Sequence, residues 1–154
     1  MQPPLQPALQ PTLQIKKLNN RAALPSYQTE GAAGMDLCAC LDSNITLAPG
    51  AISLVPTGLA VAIPSGFEGQ VRARSGLATK HGIGLPNAPG TIDCDYRGEL
   101  RVALINLSRE PFEITHGMRI AQLVISPVAH ATITEVTDLS ATVRGAGGFG
   151  STGH

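Results

Sequence analysis

Five short segments of this 154-residue chain gather groups that can do chemistry. Gly90-Thr91-Ile92-Asp93-Cys94-Asp95-Tyr96-Arg97-Gly98 brings two carboxylates and one of only two tyrosines into a hairpin or tight connection. Asp93 has two readings there: a general base that holds a water and draws off its proton during attack, or a turn residue bonding nearby backbone N–H groups. Arg74-Ser75-Gly76 stands where a strand ends and a one-turn helix begins. The Ser75 hydroxyl and the following N–H groups would converge on an anion, with Arg74 adding a permanent charge and a bidentate fork; the plainer reading is a Ser N-cap. In the tail RGAGGFGSTG, Phe149 lies between glycines beside Arg144, Ser151 and Thr152. That set suits a flat, polyanionic ligand, stacked on Phe and held by a guanidinium and hydroxyls; a mobile solubilising terminus is the alternative. Asp36 in AGMDL and Arg119 and Gln122 in GMRIAQL are polar residues within apolar, strand-like sequence. Buried polar groups need partners. An Asp36–Arg119 ion bridge is the structural explanation and a metal-water or phosphate contact the functional one, and spacing does not choose between them.

The elements that must position these groups are short β-like runs. They are Ile45 to Leu47, Ile52 to Val55, Leu59 to Ile63, Gly69 to Arg74, Glu99 to Leu107, Phe112 to Ile114, Ile120 to Val124 and Ala131 to Val136. Their spacing, near ten residues, predicts an all-β sandwich or barrel. Val71 and Ala73 alternate with Arg72 and Arg74, and Leu100, Val102 and Leu104 share one strand face, as period two requires. The one helix expected is Gly76 to His81, ended by Gly82. Three Pro-x-Leu-Gln units lie within residues 1–14, where recurrent Pro forbids a stable helix and favours extended backbone. The segment reads as a disordered leader or as a docking peptide for a Pro-recognising groove.

Composition narrows the function. Eleven basic residues balance eleven acidic ones, so there is no basic field for gripping duplex phosphates. With no Trp, two Tyr and three Phe, an aromatic-stacking nucleic-acid platform is not expected either. No apolar run approaches the ~18 residues of a membrane span, and no secretory signal opens the chain, so a cytoplasmic location is expected. Cys38, Cys40 and Cys94 are read as reduced thiols, and neither they nor the four histidines have metal-site spacing.

Taken in order, AGMDL, RSGLA, GTIDCDYRGE, GMRIAQL and RGAGGFGSTG resemble the motif series of the trimeric deoxyuridine triphosphate nucleotidohydrolases, the dUTPases. The resemblance spans Ala33 through Gly153. It implies a jelly-roll-like all-β domain over residues 15–143 with one very short helix, and a flexible Gly-rich arm over 144–154 that closes on the site. It further implies a homotrimer with each site built from all three chains, and Mg²⁺-dependent hydrolysis of dUTP to dUMP and pyrophosphate. That reaction keeps uracil out of DNA and supplies the thymidylate precursor.

Carried over residue by residue, Asp93 would activate the water attacking the α-phosphorus. Asn87 and the backbone of Gly90, Thr91 and Ile92 would read the uracil edge, Tyr96 would pack beneath the deoxyribose and refuse a 2′-hydroxyl, and Phe149 would cover the base. Arg74, Ser75, Gly76 and Gln122 would hold the α and β phosphates. Arg144, Gly150, Ser151 and Thr152 would serve the γ end from the arm. Asp36 would act on Mg²⁺ through water or by fixing Arg119, the metal being held mainly by the triphosphate. Met118, where the fourth motif usually has Asp, and Ala146, where the arm often has Ser, depart from the pattern. The rivals are a dCTP deaminase-like relative, disfavoured by RSG and the IDCDY loop, and a non-catalytic trimeric nucleotide-binding module, disfavoured by an intact Asp93, Tyr96 and arm.

Overall fold

The computed structural model describes residues 10–148. Ten strands and one helix lie in the order β1 (Gln14–Lys17), β2 (Met35–Cys38), β3 (Ile45–Leu47), β4 (Ile52–Ala62), β5 (Phe67–Ala73), α1 (Ser75–His81), β6 (Ile83–Gly84), β7 (Gly90–Ile92), β8 (Glu99–Asn106), β9 (Phe112–Ile114) and β10 (Arg119–Pro127). They form two four-stranded sheets, β1-β4-β8-β6 and β2-β10-β5-β7, with a β3-β9 ribbon beside them. All pairings are antiparallel, which gives the jelly-roll-like sandwich expected from the sequence.

Period-two geometry fills the space between the sheets. Leu100, Val102 and Leu104 of β8 are fully buried and meet Leu37 of β2, Val71 of β5 and Leu123 of β10 in one aliphatic core. The buried polar side chains are paired. Thr57 donates to the Leu100 carbonyl (2.5 Å), and Asn106 donates to the carbonyls of Leu47 and Glu110 (both 2.8 Å).

Several expected elements differ. Ile52 to Val55 and Leu59 to Ile63 are one strand, β4, because the chain stays extended through an irregularity in its register with β8 between Pro56 and Ala60. The helix begins at Ser75, with Arg74 as its N-cap and no side-chain capping bond, so Ser75 is not the N-cap. Gly82 ends it as expected, in the left-handed region (φ 65°) that glycine enters without strain. Gly90 to Gly98 is not a hairpin. β7 pairs with β5 in one sheet, whereas β8 pairs with β4 and β6 in the other, so the segment is a tight crossing between sheets. Ala131 to Val136 is not a strand. It follows β10 as irregular backbone, and Ile133 remains 95% exposed because no strand among the described residues lies beside it. At the other end, Leu13 packs against the core and Gln14 begins β1, so the third Pro-x-Leu-Gln unit joins the fold.

Candidate functional site

Asp36 is the hub of one cluster. Its place on β2, between buried Met35 and Leu37, turns its carboxylate toward the opposite face from the core. The carboxylate is 12% exposed; Oδ1 accepts Arg74 Nε and Oδ2 accepts an Arg119 terminal nitrogen, both at 3.1 Å. Arg74 also donates to the Arg119 carbonyl (3.2 Å), and Gln122 donates to the Ala73 carbonyl (3.1 Å). The Asp36–Arg119 pair read from the sequence is present, and Arg74 is a second partner that the sequence reading missed. Each carboxylate oxygen is thus held by a guanidinium. Removing the carboxylate in Asp36→Ala leaves two like charges facing each other without their counter-ion. The expected cost is about 1–3 kcal/mol, discounted from a fully buried pair because both arginines reach solvent, and a urea unfolding midpoint reads it.

Cys38 adjoins this cluster, and burial followed by the Asp36 charge pushes its thiol up. Ser75 and Gly76 are exposed at the start of α1, and the Ser75 hydroxyl makes no hydrogen bond among the described residues. Together with the free first-turn N–H groups, the cluster presents two guanidiniums, an amide and a hydroxyl at one end of β5. Such a set can receive an anion.

The second cluster lies on β7 and the turn after it. Tyr96 N donates to the Asp93 carbonyl (3.1 Å), and Arg97 ties the turn by donating to the carbonyls of Cys94 (2.7 Å) and Tyr96 (2.8 Å). The Asp93 side chain is exposed between two adjoining clefts. One, of about 250 Å³, is lined by Thr91, Ile92, Asp93, Tyr96 and Glu99 among others; the second, of about 560 Å³, includes Glu68, Asp93, Asp95 and His130. Asn87 stands beside Gly90, whose missing side chain leaves room for the Asn87 amide. β7 is the last strand of its sheet, so one edge of Gly90, Thr91 and Ile92 has main-chain donors and acceptors without a strand partner.

The two clusters do not meet within one chain. Ile92 pairs with Gly69, so Asp93 lies at the Glu68 end of β5, while Arg74 follows the other end. The six steps from Glu68 to Arg74 span roughly 20 Å at about 3.3 Å per residue.

Arg144 lies in the irregular segment after β10, where its Nε donates to the Gly147 carbonyl (2.8 Å). Phe149, Gly150, Ser151 and Thr152 lie outside the described residues. Among the described residues, no three His, Cys, Asp or Glu side chains converge as a metal-ligating group, and no helix is long and apolar enough to cross a membrane.

The family model described as dUTPase matches residues 20–153. The deoxyuridine 5′-triphosphate nucleotidohydrolase of Desulfotalea psychrophila is 65% identical over 131 residues, covering 85% of this chain and 87% of that protein. The protein of the same name from Rhizobium etli is 58% identical over 146 residues, covering 92% and 94%. Among solved structures, a mutant Staphylococcus bacteriophage 80alpha dUTPase with dUpNHpp superposes with a TM-score of 0.80 at 28% identity, covering 93% of this chain and 99% of that one.

Proposed function

The chain belongs to the dUTPase family, and from that membership we propose that it hydrolyses dUTP to dUMP and pyrophosphate in sites shared between copies of itself. The observation that carries the sharing is the separation of the two clusters. A base and a phosphate clamp serving one reaction must both come within about 3.5 Å of the reacting groups. Asp93 and Arg74, at opposite ends of β5, cannot do so from one chain. A homotrimer closes the gap by setting the Asp93 end of one copy against the Arg74 end of the next. The segment after β10 leaves Ile133 and Leu139 95% and 88% exposed, apolar surface that a neighbouring copy would cover.

In each such site Asn87 and the open edge of β7 bond the uracil, whose donor and acceptor pattern cytosine reverses, in a pocket too tight for a 5-methyl group. A pocket built around one hydrogen-bond pattern rejects another strongly. Tyr96 lies under the deoxyribose. Arg74, Ser75, Gly76 and Gln122 of the neighbouring copy hold the α and β phosphates, with Arg119 and Asp36 fixing Arg74. Asp93 accepts a proton from water as the water oxygen bonds to the α-phosphorus, in line with the bridging oxygen that leaves with pyrophosphate. Guanidinium and helix N–H groups then meet charge that grows on the leaving side.

The arm brings Arg144, Phe149, Gly150, Ser151 and Thr152 over base and γ-phosphate. The chain's donors fit a magnesium ion carried mainly by phosphate oxygens and water, since Asp36 is already paired twice. When bound, magnesium neutralises the triphosphate and eases departure of pyrophosphate. Residues 1–14 are the leader, although Leu13 and Gln14 join the fold, 15–143 form the catalytic domain, and 144–154 the arm. A cytoplasmic place fits an enzyme acting on nucleotide pools.

A panel of dUTP, dTTP, dCTP and UTP, assayed for pyrophosphate and ammonia with Mg²⁺ and with EDTA, tests the reading. Pyrophosphate from dUTP alone, lost with EDTA, is expected. Ammonia from dCTP would assign the deaminase chemistry, and no product from any nucleotide would leave a binding module. Asp36→Ala enters the same assay with an expected KM for dUTP about tenfold higher, because Arg74 loses the partner that orients it.

A further inference from the structure

We propose that Gly98 is a positioning residue for sugar selection, keeping the Tyr96 ring in its seat. The proposal rests on the reading of Tyr96 as the deoxyribose platform and names the residue on which that platform depends. Gly98 is not one of the glycines with positive φ among the described residues, so backbone torsion does not explain it. Close approach does. A Cβ built on Gly98 would strike Tyr96 Oη and lie 2.6 Å from Cζ and 3.0 Å from Cε2. The ring lies directly over this backbone, and a methyl group there must push it away.

The ring is otherwise tied down at one point, where Tyr96 Oη donates to the Glu99 carbonyl (2.9 Å). Glu99 is itself immobilised. Its backbone pairs with Ala60 of β4, Oε1 accepts Gly58 N (3.0 Å), and Oε2 meets Arg101 Nε (3.2 Å). The phenol therefore has a fixed anchor, but Tyr96 is 43% exposed and its ring can swing outward once displaced from below. The absence of a side chain at Gly98 is what allows the ring to lie flat where a 2′-hydroxyl would have to fit.

The experiment compares Gly98→Ala, Tyr96→Ala and the double variant in steady-state kinetics with dUTP and UTP. Gly98→Ala is expected to lower the dUTP-to-UTP ratio of kcat/KM about tenfold, in the direction of Tyr96→Ala. A merely structural defect lowers both nucleotides alike and leaves the ratio unmoved. In the double variant the Gly98 substitution is expected to add nothing to the Tyr96→Ala ratio, because the group it displaces is gone. If Tyr96→Ala lowers the ratio and Gly98→Ala does not, this proposal falls and the platform stands; if Tyr96→Ala leaves the ratio unchanged, both fall. Should Gly98→Ala alone fail to fold, the double variant is expected to fold. A double variant that stays unfolded would overturn the proposal, because the clash would then lie elsewhere than in the ring.

Discussion

Replacing Asp93 by asparagine is expected to reduce turnover of dUTP about a thousandfold while leaving nucleotide binding nearly unchanged. The expectation follows from how the residue is held. Its carbonyl accepts Tyr96 N and so shapes the turn through main chain, which the substitution preserves. Its exposed side chain faces the clefts beside Thr91 and Tyr96 and makes no hydrogen bond among the described residues. An amide of the same shape keeps the volume and loses the proton acceptor. Pyrophosphate release measures turnover, and calorimetric titration with dUpNHpp measures binding. The competing account, in which Asp93 only supports the turn, makes the opposite forecast: the variant would turn over dUTP normally and unfold at a lower temperature.

The residues that read clearly in the sequence owe their meaning to nearest neighbours along the chain. Alternation on β8 predicts the burial of Leu100, Val102 and Leu104, and Gly82 marks the helix end, because both signals are local. What the sequence leaves hidden depends on pairing across space. Gly90 to Gly98 has the turn residues of a hairpin, yet Gly90 finds its partner at Val71 and Glu99 finds its own at Ala60, so the same nine residues join two sheets. Asp36 has an obvious opposite charge in Arg119. Its second partner, Arg74, follows the end of β5, and only the β2-β10-β5 arrangement brings the three together. Ala131 to Val136 has a strand's composition without a strand's neighbours among the described residues, since β propensity is realised against a packing surface. The role of Gly98 is invisible for another reason. A glycine in a turn reads as a torsional device, whereas this one answers to a tyrosine ring two residues earlier.

The division of labour along β5 also explains why the candidate site is unremarkable in a single chain. On the proposed reading the Arg74 cluster supplies charge without a base, and the Asp93 clefts supply the base and the sugar platform, the lining Arg101 being paired with Glu99. Each half is ordered by its own contacts, Asp36 with two arginines on one side and Tyr96 with Glu99 on the other. Pre-formed halves lose little side-chain freedom when a neighbour completes them. On the proposed reading, assembly sets the distance between base and phosphate, and the fold of one subunit sets only the orientation of each half.

Subunit complementation tests that account most directly. Arg74→Ala and Asp93→Asn are each expected to be nearly inactive alone. When the two are co-refolded at equal amounts, random assembly into trimers places an intact Arg74 next to an intact Asp93 of the adjacent copy at about a quarter of the sites. Pyrophosphate release per site from the mixture should therefore recover to about a quarter of the unsubstituted enzyme's. A mixture no more active than the two variants assayed apart, with exchange of subunits verified by differently tagged chains, would mean that the base and the clamp serve dUTP from the same chain, and the shared site would be wrong.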